Sequence, residues 1–171
     1  MAITIRPASV EDAAVVRDIY QMSFSEYQSF LKLSSPPAAL QETTQSIAQA
    51  LQSDMIFLAI YNQLKAVGSI RLSILEDSVG YIGRFAVLPN WQKSGAGSAL
   101  MEYALAYFSQ KGLKAAALHT GTKQIHLARF YHSFGFYVHS VSTDKGYRRG
   151  LFVKEFADCP EYDFESICAG L

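Results

Sequence analysis

The residues best suited by type and spacing to do chemistry lie between Phe85 and Leu100, in the run Phe-Ala-Val-Leu-Pro-Asn-Trp-Gln-Lys-Ser-Gly-Ala-Gly-Ser-Ala-Leu. An apolar stretch stops at Pro89, a polar turn follows, and Gly95 and Gly97 open a segment whose apolar residues (Leu100, Tyr103, Ala104, Tyr107) recur at helical spacing. Two such glycines let the backbone turn tightly and approach a ligand closely. The first N–H groups of a helix have no intrahelical partners and lie at the positive end of its dipole, which suits a phosphate or pyrophosphate. A nucleoside-triphosphate loop would need Gly-Lys-Ser/Thr, but Ser98-Ala99 follows the second glycine. A dinucleotide fingerprint needs a third glycine and a parallel strand unit; position 100 is Leu and the preceding strands look antiparallel. Taken alone, Gly95-Ala96-Gly97 fits equally well a loop that merely starts a helix.

The elements that must position this turn can be read around it. Ile3–Arg6 alternates as a short strand, and Ser9 with Asp12 resembles a capping box ahead of a helix from about 10 to 23. Residues 24–37 look irregular, and Ser35 before Pro36-Pro37 is expected to cap a second helix carrying Leu40, Thr44, Ile47 and Leu51 on one face. The runs 56–61, 66–74 and 81–88 predict an antiparallel three-strand meander closed by Pro89. A helix over 97–110, a strand over 115–120, a short helix over 124–134 and strands over 136–141 and 151–156 complete the order. This is an α/β (α+β) pattern in one domain over 1–157, followed by a C-terminal tail, 158–171.

Composition narrows the partners. The 171 residues carry 15 Lys+Arg against 15 Asp+Glu, and half are hydrophobic, so a core is affordable and a basic nucleic-acid surface is not expected. Cys159 and Cys168 form neither a metal-ligand spacing nor a secreted disulfide framework. The longest apolar run, Met55–Tyr61, is far too short to cross a bilayer, and no signal peptide is evident; no membrane is expected, and a cytoplasmic location is.

The whole Gln92-Lys93-Ser94-Gly95-Ala96-Gly97 run resembles the Gln/Arg-x-x-Gly-x-Gly/Ala acetyl-CoA loop of the GNAT N-acetyltransferase superfamily. The strand end Phe85-x-Val87-x-Pro89, the segment Phe130-Tyr-His-Ser-Phe-Gly-Phe136 and the opening Ile5-Arg-Pro-Ala-Ser-x-x-Asp12 are similar to that superfamily too. The resemblance implies a GNAT fold, with a mixed, mostly antiparallel central sheet of about seven strands and helices on both faces. It implies a transferase that moves an acetyl group from acetyl-CoA to an amine by direct attack. The backbone N–H groups of Gly95, Ala96, Gly97 and Ser98 would cradle the pyrophosphate, with Gln92 at the head of the loop. Phe85, Ala86 and Val87 would offer backbone hydrogen bonds to the pantetheine arm where two neighbouring strands splay apart. Tyr131 would be catalytic, protonating the departing thiolate, a step that a phenol of pKa near 10 can perform.

Three positions depart from the family pattern, one of them Leu127, where a small residue is usual. Gln124 stands where an asparagine often contacts the cofactor, keeping an amide on a longer stem. Gly83, followed by Arg84, stands where many members carry a glutamate as base. Other groups must then help remove the amine's proton, and Glu26, Tyr27, Glu76, Asp77 and His119 are the candidates. Phe24, Tyr27, Phe30, Tyr147, Arg148 and Arg149 are candidates for the acceptor side. His126 and His132, six apart, make a poor metal pair, and no metal is expected. The implied partners are acetyl-CoA and an amine acceptor, with a homodimer left open. The missing carboxylate keeps an alternative in view, a non-catalytic acetyl-CoA-binding sensor or interaction module.

Overall fold

In the computed structural model, which describes residues 2–171, seven strands and five helices alternate along the chain. They are β1 (Ile3–Pro7), α1 (Ala13–Leu31), α2 (Thr44–Ala50), β2 (Met55–Tyr61), β3 (Lys65–Ile74), β4 (Val79–Val87), α3 (Ala96–Gln110), β5 (Ala115–Gly121), α4 (Ile125–Ser133), β6 (Tyr137–Ser142), β7 (Arg149–Glu155) and α5 (Phe164–Ile167). The strands form one sheet in the order β1-β2-β3-β4-β5-β7-β6. Its described ladders are antiparallel apart from β4 with β5. Residues to Ser73 together with Arg84–Leu105 make one compact unit, and Ile74–Gly83 with Ala106–Leu171 make another.

In the first unit β2 is the centre of a meander, pairing with β1 from Ile3↔Tyr61 to Pro7↔Phe57 and with β3 through a bulge at Ala59/Ile60. The apolar stripe of α1 (Ala13, Val16, Ile19, Tyr20) packs on Ile47, Ile56, Leu58, Ala86 and Leu88. The turn into α1 is locked by Asp12, whose carboxylate accepts the Ser9 N–H at 2.8 Å and both arms of the Arg6 guanidinium at 2.8 and 2.9 Å. The Arg6 contact holds the Asp12 carboxyl far below the ordinary carboxylate range.

Two expectations need correction here. The segment 24–31 is not irregular: α1 runs on to Leu31, because Phe24, Tyr27/Gln28 and Leu31 continue the helical spacing. It ends only at Lys32, which takes a left-handed conformation (φ 53°). Ser35 does not cap the second helix. Pro36-Pro37 lead into a single 3-10 turn, Ala38–Gln41, and Thr43 is the cap of α2: Thr43 Oγ1 accepts the Ser46 N–H at 3.0 Å while Ser46 Oγ accepts the Thr43 N–H at 2.9 Å.

In the second unit β4 runs parallel to β5 over Val79↔Ala115 to Tyr81↔Ala117, and β7 lies antiparallel between β5 and β6. Gly80 is dictated by packing, since a Cβ there would stand 2.6 Å from the ring of Phe108. Val79, Tyr81, Ala115, Ala117, Leu151 and Val153 share a core with Cys159, Phe164 and Cys168, so residues 158–171 contribute three buried side chains to it. Arg149 Nη2 donates to the Leu171 carbonyl at 2.8 Å, tying that segment down. Both cysteines are free thiols.

Candidate functional site

In the first unit the turn from β4 into α3 is built for backbone exposure. Leu88 N–H donates to Val67 O at 2.8 Å, ending β4, and Pro89–Trp91 make one 3-10 turn. Trp91 anchors it against the ring of Tyr61, 4.5 Å away, with Lys65 Nζ over the Trp91 ring at 5.6 Å from its centroid. Lys93 and then Gly95 adopt positive φ, 63° and 92°. A Cβ at Gly95 would meet nothing within 4 Å, so this residue is a glycine for its backbone and its open side rather than for internal packing. Ala96 N–H leans on Ser94 Oγ at 3.3 Å, and the helical ladder starts with Ala99 N–H to Gly95 O at 3.0 Å. The N–H groups of Gly97 and Ser98 therefore precede the first helical hydrogen bond, the geometry that receives an anion. Gln92 is exposed and donates from Nε2 to Glu26 Oε2 of α1 at 2.9 Å. That contact engages one of the five candidate bases with the loop.

The same unit holds a feature that the sequence did not announce. Glu42, just after the 3-10 turn that precedes α2, points one carboxylate oxygen at two guanidiniums. Oε1 accepts from Arg71 Nη1 at 2.9 Å and from Arg84 Nε and Nη2 at 3.3 and 3.2 Å. Arg71 Nε lies 3.6 Å from Asp54 Oδ2. Behind them the hydroxyls of Tyr20 and Ser69 are buried side by side without completing a hydrogen bond, and Glu42 Oε2 is buried without one as well. Burial pushes the Tyr20 phenol up to about 12.

In the second unit Gln124 and Tyr131 lie at the start and on the buried face of α4. Gln124 is 4% exposed, yet its amide Oε1 is buried without a hydrogen-bond partner. A buried amide oxygen left so costs about 1–3 kcal/mol, a cost that a ligand N–H would remove. Tyr131 is 5% exposed and its ring is clamped by Phe130, Phe136 and Phe152 at centroid distances of 5.5, 6.1 and 5.6 Å. These contacts fix the phenol's direction. His132 is structural, its Nδ1 bonded to the Phe136 carbonyl at 2.8 Å.

Of the other candidate bases, His119 gains a partner. Its Nδ1 stands 2.6 Å from the Tyr81 hydroxyl. Burial, helped by the Arg149 charge, lowers the imidazole to about 4, so it is neutral near pH 7 and Nδ1 can accept the phenolic proton. The Tyr81 ring also flanks Gly83, where a Cβ would touch Tyr81 Cε1 at 3.6 Å. Gly83 is thus bordered by a tyrosine–histidine pair. Glu76 and Asp77 sit in an exposed turn at the opposite end of β4 from Phe85-Ala86-Val87. Phe24 stacks edge-on between Tyr20 and Tyr27 along α1 and packs on the first core, so its role is packing. Arg149 is committed to Leu171 O, with Asp144 at 3.8 Å.

Among the described residues no group of three or more His, Cys, Asp or Glu side chains is placed to hold a metal ion, and no helix is long and apolar enough to cross a membrane. The model of the acetyltransferase (GNAT) family matches residues 16–136. Among solved structures the chain is similar to a PaiA N-acetyltransferase from Thermoplasma acidophilum in complex with coenzyme A (18% identity, TM-score 0.75, covering 91% of this chain and all, 100%, of that one). It is also similar to the ribosomal-protein-S18-alanine N-acetyltransferase from Escherichia coli (17%, TM-score 0.72, 94% and 97% covered). A third is a GNAT family acetyltransferase from Elizabethkingia anophelis with acetyl-CoA bound (18%, TM-score 0.68, 90% and 97% covered). No curated protein matches the sequence.

Proposed function

Since the chain belongs to the acetyltransferase (GNAT) family, whose members are acetyl-CoA-dependent acyltransferases, we propose that it acetylates an amine, on a small molecule or a peptide, by direct attack on the thioester. The observation that carries this reading is the turn into α3, with a left-handed, open-sided Gly95 and the Gly97 and Ser98 N–H groups ahead of the helical ladder. A doubly charged pyrophosphate matches such a helix start.

The residues then divide the work. The N–H groups of Gly95, Ala96, Gly97 and Ser98 hold the pyrophosphate, and Gln92, steadied by Glu26, closes the head of the loop. The main chain at Phe85, Ala86 and Val87 bonds the pantetheine amides, and the orphaned Gln124 Oε1 accepts an N–H of the cofactor. Bound acetyl-CoA supplies an activated acetyl group and a thiolate leaving group. Only an unprotonated amine has the lone pair to attack it, so the acceptor gives up one proton to solvent first. As the C–N bond forms, the nitrogen's remaining surplus proton becomes far more acidic, and a weak base suffices. Tyr81 Oη takes it while the phenolic proton passes to His119 Nδ1, and His119, with its low pKa, releases it to water. Tyr131 gives its phenolic proton to the departing sulfur and regains one from water before the next turnover. Holding both reactants in place provides most of the acceleration.

The test is free-thiol release from acetyl-CoA across a panel of amines, with mass detection of the acetylated product. A product carrying one added acetyl group per thiol released is expected. Stabilisation by acetyl-CoA with no turnover on any amine would leave a binding module instead of an enzyme.

A further inference from the structure

Arg84 stands out from its surroundings in three ways that bear on which amine is used. It is a non-glycine residue held at φ 48° inside β4, immediately before Phe85. Left-handed backbone on a residue with a long side chain is strained and persists only where the surroundings enforce it, as they often do at ligand sites. Its side chain is also about twice as exposed as those of Arg71 and Glu42, 29% open against 14% for each. Its charge is, finally, the least compensated. Among the described residues Arg71 has Glu42 at 2.9 Å and Asp54 at 3.6 Å, whereas Arg84 has only the shared Glu42 Oε1, at 3.2 and 3.3 Å.

The geometry sets what could complete it. Arg84 spends its Nε–Nη2 edge on a single oxygen atom, which leaves the Nη1–Nη2 edge of the fork for another group. A planar anion fits that edge with two parallel hydrogen bonds. A cation is disfavoured, because two guanidiniums already surround the Glu42 carboxylate and would repel it. We propose that Arg84 is the specificity-determining residue of the acceptor site, and that the acceptor is an amine carrying a carboxylate a few bonds away, as an amino acid does. Glu42 is the positioning residue: its Oε1 pins the guanidinium with the free edge outward. This rests on the acetyl-transfer reading above and names its substrate class.

The experiment compares matched acceptors, free amino acids against their carboxamides and against simple alkyl amines and polyamines. Turnover with acetyl-CoA is measured, and direct acceptor binding is followed by ligand-observed NMR. A bidentate, charge-assisted pair should favour the carboxylate over the amide by about tenfold or more in kcat/KM. Arg84→Gln should remove that preference through KM, leaving kcat and stabilisation by acetyl-CoA unchanged, and Arg84→Lys should keep part of it. Glu42→Gln should loosen the guanidinium and lower the preference less than Arg84→Gln does. Equal use of acid and amide by the wild type, or an unchanged ratio in Arg84→Gln, overturns the proposal. So does a preference for polyamines. The binding arm separates the two readings: carboxylate-dependent binding that Arg84→Gln abolishes, without turnover on any acceptor, sinks the acetyl-transfer reading and supports the Arg84 assignment.

Discussion

The turn into α3 and the Tyr81–His119 pair handle polarity by opposite means. The turn offers anion recognition through its main chain: a left-handed glycine with an open side, and helix N–H groups ahead of the first hydrogen bond. The pair offers proton handling by an imidazole that burial keeps neutral, lowered to about 4, and a phenol 2.6 Å from it. Backbone recognition tolerates many side-chain changes and is broken by backbone ones. Proton handling is broken by loss of a single heteroatom. A net charge of zero over the whole chain is consistent with both, since neither needs a basic surface.

The largest effect should follow loss of one oxygen from the second unit. Tyr131→Phe keeps a ring clamped by Phe130, Phe136 and Phe152 and removes only the proton given to the leaving sulfur. Turnover should fall by about 10² or more while acetyl-CoA affinity stays nearly constant. Steady-state kinetics with calorimetric binding checks this, and unchanged turnover with every acceptor would remove Tyr131 from the acid role.

The turn should respond in the reverse sense. Gly95→Val forces a β-branched residue to φ 92° and fills the open side, with no neighbour inside the protein to clash. The strain is about 1–2 kcal/mol, and acetyl-CoA affinity should drop by tenfold or more on top of it. Affinity that survived while stability fell would mean that this glycine serves the fold alone. By contrast, Gly80→Ala should cost about 1–3 kcal/mol in a denaturant titration, because its Cβ meets the Phe108 ring at 2.6 Å, with no effect on acetyl-CoA affinity beyond that loss.

How much of this the sequence discloses follows from the same contrast. The turn is legible because Pro89, Gly95 and Gly97 punctuate the chain locally, and the meander before it follows from three β-branched and aromatic runs. Tyr131 is legible only through the motif around it, since a tyrosine between Phe130 and Phe134 otherwise reads as core. The Tyr81–His119 contact joins residues 38 apart, and Glu42 meets Arg71 and Arg84 over 29 and 42 residues. Periodicity assigns each of these to a strand face or a turn, but says nothing about which side chain on another element faces it. The C-terminal half of α1 was obscured for a different reason: beyond Tyr20 the helix buries less, so the apolar contrast that marks a helix fades although the backbone continues.

A smaller kinetic effect belongs to the pair itself. Tyr81→Phe should lower turnover by about tenfold, less than Tyr131→Phe, because water can replace a weak base more readily than a placed acid. If the two variants were equally impaired, the amine proton would depend on Tyr81 as strongly as the sulfur depends on Tyr131.

The smallest effect tests whether burial really keeps His119 neutral. Its folded pKa of about 4 lies below the ordinary value of 6.5, so between these two values the unfolded chain binds more protons than the folded one. Stability from this group is therefore complete above pH 6.5 and is lost as pH falls through 4. The ring is only partly buried, and Arg149, Lys145 and Asp144 act on it through solvent, so the loss should be about 1 kcal/mol rather than the full value of the shift. Urea titrations at pH 7.5 and 4.5 should show this decrement in the wild type and a smaller one in His119→Gln, whose amide cannot titrate. Asp12 in the first unit does not interfere: its carboxyl is lowered by Arg6, so its contribution is present above 3.8 and fades only at pH values below the window measured. Equal decrements in wild type and variant would mean that the fold does not lower the His119 pKa, and the easy release of its proton to water in the Tyr81 route would lose its support.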